Sequence, residues 1–250
     1  LAGVSASAVH HLWESDRNVS EAVLEPLTRH LALPFLQEGA TPVHSHHGSF
    51  IHLPQHSSIE VMQWIGYLLG DGTVNRRGVR FKDADTDTLE CYQRIAQRQF
   101  NLHGRLVRIP AVNAHLLEIN SLALAEWLRR NVLGRRTAFL NDIGRLPDEQ
   151  IAGFLRGVFD AEGCVARHAG QVTLAMTDVE LVRRMQLWLL RLGILASTAH
   201  EARSLRHRRP RPALRLLVTR ADALRTFRHA VGFSSSRKQA WLEEVLGPKR

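Results

Sequence analysis

The sequence predicts an α+β fold of two pseudo-symmetric αββαββα halves, preceded by a small helical segment. Three observations carry that prediction. Gly66-Tyr67-Leu68-Leu69-Gly70-Asp71-Gly72 and Gly157-Val158-Phe159-Asp160-Ala161-Glu162-Gly163 are near repeats, with their acids 91 positions apart (162 − 71). Each is an apolar helix with small residues four apart, ending in a carboxylate and a glycine. The order of elements after each motif also repeats, which marks an internal duplication. Finally, 44% hydrophobic residues over 250 positions support a sizeable core.

The elements follow in order. Residues 1–35 read as helical, 36–56 as a linker with some extended structure, 57–150 as the first half and 151–250 as the second. Gly66 and Gly70 match Gly157 and Ala161 in register, a small-residue pattern that lets two helices pack backbone to backbone. Gly72 and Gly163 suit a left-handed turn closing each motif helix. A basic turn, Asn75-Arg76-Arg77-Gly78, leads to a strand at Val79-Arg80-Phe81-Lys82. Its counterpart, Arg167-His168-Ala169-Gly170, leads to Val172-Thr173-Leu174-Ala175. Helices follow at 86–100 and 178–192, with Asp85 and Asp178 as N-caps. Paired strands are expected within 105–119 and 196–219. Closing helices begin at Leu122 and Ala221.

The formal charge is +9, and the basic residues are clustered, a pattern that points to a polyanionic partner. Two cysteines, Cys91 and Cys164, are too few for a disulfide scaffold or a zinc cluster and fit a reduced compartment. No run of 18 apolar residues appears, nor a basic-then-apolar signal pattern. The expectation is a soluble, cytoplasmic protein associated with the nucleoid through DNA, with no membrane partner. His44, His46 and His47 have no flanking acid or cysteine and read as polar linker.

A carboxylate at a helix C-terminus opposes the helix dipole, and two together oppose each other. A divalent cation held by hard oxygen ligands removes the conflict. Arg76, Arg77, Arg80, Lys82, Arg105 and Arg108 lie on hairpins of the first half. Arg167, Arg203, Arg206, Arg208, Arg209, Arg211 and Arg215 lie in the second, where Pro210 and Pro212 mark a hairpin tip. A two-stranded ribbon fits the major groove, where arginine reads guanine. Double-stranded DNA is the expected partner.

Trp64–Gly72 and Leu155–Gly163, with the αββαββα order over residues 57–247, resemble the two motifs of a monomeric LAGLIDADG homing endonuclease. The resemblance implies a pseudo-twofold monomer, the motif helices at its interface, and strands forming a saddle in the major groove. It implies Mg²⁺-dependent hydrolysis of both DNA strands, with Mn²⁺ or Ca²⁺ able to replace Mg²⁺ for binding. By motif position the metal falls to Asp71 and Glu162, beside Gly70 and Ala161. The chain departs from the pattern at Leu69, where an acid is common, and at Glu162, where Asp is more usual. A basic residue is implied near each acid: Lys238 in the second half and Arg145, in place of lysine, in the first. Arginine cannot act as a base but stabilises a pentavalent phosphate.

Residues 1–35 are similar to the second part of a repressor-type helix-turn-helix, which would turn Ser5, Ala6, Ser7, His10 and His11 toward DNA. A helical cap on the nuclease is the alternative there. For the whole chain the alternative to cleavage is a non-cleaving, sequence-specific DNA-binding regulator on the same scaffold. Leu1 and the closing Gly247-Pro248-Lys249-Arg250 lack the nucleophile and His-Asn pair of an intein, so the expectation is a freestanding relative or a domain of one.

Overall fold

A computed structural model describes residues 43–44, 50–54, 56–201 and 213–247. The helix-turn-helix-like segment, His46, His47, and the basic run Arg203, Arg206, Arg208, Arg209 and Arg211 lie outside the described residues. Two short strands, β1 (Val43–His44) and β2 (Phe50–Ile51), pair antiparallel. The chain then enters α1 (Ile59–Asp71), β3 (Thr73–Val74), β4 (Gly78–Asp83), α2 (Thr86–Phe100), β5 (Arg105–Ile109), β6 (Ala114–Asn120) and α3 (Leu122–Leu128). The second half repeats the order: α5 (Asp148–Glu162), β7 (Gly163–Ala166), β8 (Gln171–Met176), α6 (Val179–Arg191), β9 (Ser197–Glu201), β10 (Ala213–Val218) and α7 (Ala221–Ala230).

Each half builds one antiparallel four-stranded sheet, ordered β3-β4-β6-β5 and β7-β8-β10-β9. The two orders are the same once the halves are aligned. Strand burial alternates, as for a sheet with one covered face. In β8, Val172, Leu174 and Met176 are buried while Gln171, Thr173 and Ala175 are only half-buried. The helices cover the buried faces, and a single core cluster runs through both halves.

Two further helices close the halves, α4 (Arg136–Ile143) and α8 (Ser236–Leu246). They are not part of the αββαββα pattern. The Ser235 hydroxyl caps α8 by accepting from the Lys238 N–H. Pro147 is the N-cap residue of α5, so the expected 150/151 boundary between halves falls inside the first turn of that helix.

α1 is buried on nearly every side from Val61 to Leu69, as a helix enclosed in a large core must be. Its partner is α5. A Cβ on Gly66 would stand 2.1 Å from the Phe154 carbonyl oxygen, and one on Gly157 would stand 2.0 Å from that of Gln63. Phe154 precedes Gly157 by three positions, as Gln63 precedes Gly66, so the contact is reciprocal about the pseudo-twofold axis.

One expectation is corrected. Gly72 (φ −84°, ψ 157°) and Gly163 (φ −75°, ψ 146°) are extended rather than left-handed. The chain passes straight from helix into strand at both places. Glycine is needed there for space: a Cβ would come within 2.6 Å of the Leu68 Cα and 2.4 Å of the Phe159 carbonyl oxygen.

Candidate active site at the paired helix ends

The parallel descent of α1 and α5 brings their C-terminal acids to one end of the seam. Asp71 is the last residue of α1 and Glu162 the last of α5. Gly70 faces Ala161 across the axis, and a Cβ on Gly70 would lie 2.5 Å from the Ala161 Cβ and 3.5 Å from the Glu162 Cγ. Burial raises the pKa of Asp71, Lys82 opposes that shift, and Asp83 adds to it. Burial likewise raises Glu162, the charge of Asp71 raises it further, and Lys238 opposes both. The two carboxylates therefore sense each other, and each has one cation acting on it.

A divalent cation fits this donor set. Exposed Asp71 and half-buried Glu162 resist ionising together, and bringing a hard cation between them reverses the penalty. Among the described residues no group of three His, Cys, Asp or Glu side chains is placed to hold a metal. At this end of the seam stand the Asp71 and Glu162 carboxylates and the adjoining backbone at Gly70 and Ala161.

Lys238 sits beside the end of α5. Its ammonium donates to the Asp160 carbonyl oxygen at 2.5 Å and lies 3.4 Å from that of Phe159. Burial pulls its pKa down, opposed by Asp160, Asp83 and Asp85. Sequence reading missed the buried network next to it. The Asp160 carboxylate accepts from the Tyr92 hydroxyl at 2.6 Å and from the Ser234 N–H at 2.8 Å, and Gln63 donates to the Ser234 hydroxyl at 2.7 Å. Burial raises the Asp160 pKa, while Tyr92 and Ser234 lower it. These bonds tie α1, α2 and α5 to the α7–α8 connection, three to four residues before Lys238 in the first turn of α8. Asp85 occupies an N-cap position without a side-chain cap bond. It instead accepts from the Ser235 hydroxyl at 3.2 Å and pairs with Arg237 at 2.9 Å. Asp178 does cap α6, accepting from the Leu181 N–H.

Arg145 follows the far end of α4, largely exposed, and its guanidinium lies 3.5 Å from Asp142. The cation acting on Asp71 is Lys82. Counted from the N-caps Arg135 and Ser235, the α4 residue in the place of Lys238 is Ala138.

The basic residues divide by strand parity. Arg80 pairs in register with Glu118, and Glu118 with Arg105, so Arg80, Lys82 and Arg105 share the exposed face of the first sheet. Arg80 is bonded to Glu118 at 2.7 Å. Arg108 has the parity of Leu106, which pairs with fully buried Leu117. Arg108 therefore has the parity of the helix-covered face although it is exposed at the end of β5, apart from Arg105, a separation that the two-residue period of a strand already implied. Arg76 and Arg77 are exposed at the β3–β4 turn, shaped by the Asn75 side chain accepting from the Arg77 and Gly78 N–H groups. Arg167 is held by Glu244 at 2.6 Å and lies over the Trp241 ring. Arg215 stands on β10 opposite Ala175 and Ala199, on the outer face of the second sheet.

Residues 149–232 match the LAGLIDADG-like domain family. Among curated relatives, the chain is 32% identical over 207 residues to glutamine–fructose-6-phosphate aminotransferase (isomerizing) of Methanocaldococcus jannaschii, covering 80% of the chain and 19% of that protein. It is 24% identical over 194 residues to the replication factor C small subunit of the same organism, covering 75% of the chain and 10% of that protein. The chain thus spans a fifth or less of these relatives. Among solved structures, it is similar to the homing endonuclease I-DmoI in complex with DNA and Ca, with TM-score 0.52, 14% identity, and coverage of 75% of this chain and 99% of that one. Another I-DmoI structure contains DNA and Mn. Full-length DUF199/WhiA from Thermatoga maritima matches with TM-score 0.53 and 14% identity, covering 78% of this chain and 62% of that one. At these identities the structural matches speak for the fold.

Proposed function

We propose that this chain, a LAGLIDADG protein by its matched domain and its fold, is a site-specific endonuclease of double-stranded DNA. The observation carrying the proposal is the meeting of Asp71 and Glu162 at the ends of two helices in backbone contact. Asp71 and Glu162, with the backbone at Gly70 and Ala161, would hold Mg²⁺. The ion would supply a polarised phosphate and a water of lowered pKa. Lys238 neutralises charge developing on the phosphate next to Glu162, and the α7–α8 connection fixes its position. The exposed sheet faces, through Arg80, Arg105 and Arg215 together with the hairpin arginines Arg76 and Arg77, hold the duplex and read a long, partly asymmetric site. The pseudo-twofold axis lies within one chain, which supports a monomer.

The relatives support a mobile module. An aminotransferase and a replication factor subunit share this segment, yet it is a fifth or less of either. A segment common to proteins of such different names is read as an insertion rather than as the carrier of either activity.

A second reading, a DNA-binding regulator that does not cut, is favoured by two observations. Ala138 stands where α8 has Lys238, and the fold is shared with DUF199/WhiA, which is not named as a nuclease. Cleavage selection on a randomised duplex library with and without Mg²⁺ separates the two. A nuclease enriches one family of cut sites only with the metal, whereas a regulator retains duplexes without cutting them.

A further inference from the structure

The register of the two sheets places different residues against the two acids. In the first sheet Thr73 pairs with Arg80 and Val74 with Val79. Asp71 ends α1 just before extended Gly72, and β4 runs on past Arg80 to Lys82, so Lys82 lies at the edge where α1 enters the first sheet, and its charge acts on Asp71. In the second sheet Gly163 pairs with Leu174, and the next residue of β8, in the place of Lys82, is Ala175. The closing helices reverse the assignment, with Ala138 on α4 and Lys238 on α8. One lysine therefore serves each acid, but from elements that the pseudo-symmetry does not relate.

Of the carboxylates around Lys82, Asp71 is the one on which its charge acts. Its register neighbour on β6 is Leu116. Arg80, two positions back on the same face, is bonded to Glu118. Asp83, the next residue, accepts from the Tyr67 hydroxyl at 2.9 Å and from the Asp85 N–H at 2.9 Å. The Lys82 side chain is exposed on the face proposed to meet DNA, so it has access to a phosphate lying over Asp71.

We propose that Lys82 is the catalytic cation of the first cleavage centre, acting from strand β4 as Lys238 acts from helix α8 at the second. This rests on the nuclease reading and deepens it: the two DNA strands meet chemically different centres. Arg145 then has no part in the reaction.

The test uses the full chain, Mg²⁺, and a duplex recovered by cleavage selection, with each strand labelled differently. Single-turnover rates are read per strand for the parent, K82A and K238A. K82A is expected to slow one strand about a hundredfold and K238A the other, each with nicked duplex accumulating. Because Lys82 is exposed on a strand, K82A should melt like the parent, and its DNA affinity should fall far less than its rate. Equal slowing of both strands by K82A with matching loss of affinity would make Lys82 a phosphate contact only and overturn the proposal. So would unchanged rates, or K82A and K238A acting on the same strand. Failure of the parent to cut any duplex would remove the nuclease reading and this proposal together, an outcome distinct from the others.

Discussion

On one side of the α1–α5 seam, Asp160 is fully buried and bonded to Tyr92 and Ser234, with Gln63 completing the network and Tyr67 bonded to Asp83 nearby. On the other side the positions equivalent by the repeat are apolar. Subtracting the 91-residue motif spacing, Leu69 answers Asp160. Adding it, Phe154 answers Gln63 and Val158 answers Tyr67. Aligning α2 and α6 on Asp85 and Asp178, Met185 answers Tyr92. The backbone is shared, while one side is a hydrogen-bonded network and the other a packed apolar contact in which Phe154 meets Trp188 edge-on at 5.6 Å. Apolar packing tolerates adjustment, whereas a buried carboxylate demands every partner in place. The polar side is thus the one that fixes its neighbours, and its neighbour is Lys238.

Removing what the two sides hold in common should have the largest effect. Asp71→Asn and Glu162→Gln should each lower double-strand cutting at least about a hundredfold with binding largely kept, measured on the selected duplex with Mg²⁺. Full cleavage by both variants would refute the site. Next comes the exchange of chemistries. Leu69→Asp places an unpartnered carboxylate on the apolar side and should cost about 3–5 kcal/mol in denaturant unfolding. A smaller loss would mean that side already has partners to offer.

Gly157→Ala tests the contact between the sides. Its methyl would meet the Gln63 carbonyl oxygen, and overpacking of this kind costs about 1–3 kcal/mol; a variant as stable as the parent would disprove the close approach. On the polar side, Asp160→Leu leaves the Tyr92 hydroxyl and the Ser234 N–H without their acceptor, for about 1–3 kcal/mol. Adding Tyr92→Met, which copies the Leu69–Met185 pair, should recover part of that loss. Equal stability of the single and double variants would show that Tyr92 and Asp160 are not coupled.

The smallest effect concerns pH. Burial raises Asp71 and Glu162 in the folded chain, so the native state binds protons more readily than the unfolded one. Stability from these groups therefore falls as pH rises from the unfolded carboxylate pKa through the folded one. Asp71→Asn, lacking that charge, should be slightly more stable than the parent at neutral pH and lose its advantage in acid. The gain stays under about 1 kcal/mol because the group is half-exposed. A destabilised Asn variant at neutral pH would contradict the strained pairing.

The two halves, the motif helices and the hairpin order were legible because they repeat and because polar caps and strand alternation are local signals. The αββαββα order has no place for α8, so the stretch around Ser235 and Lys238 was read for its cation and not as a helix. The extended Gly72 and Gly163 were not legible, since a glycine before a strand looks the same whether it supplies a left-handed turn or room. Nor was the Asp160 network, whose partners come from three segments far apart in sequence. Lys82 looked like one more basic residue on a hairpin until the fold brought the end of β4 to the edge where α1 enters the sheet. Arg108 was separable from Arg105 by counting alone.

The reciprocal touching of Gly66 and Gly157 on opposing carbonyls puts backbone directly against backbone at the middle of the seam. The span between the two acids is then set by main-chain thickness, like the fixed jaws of a calliper. On the nuclease reading, the offset between the two nicks in a duplex should stay constant while recognition residues on the sheets drift, so that new target sequences can be selected without resetting the overhang.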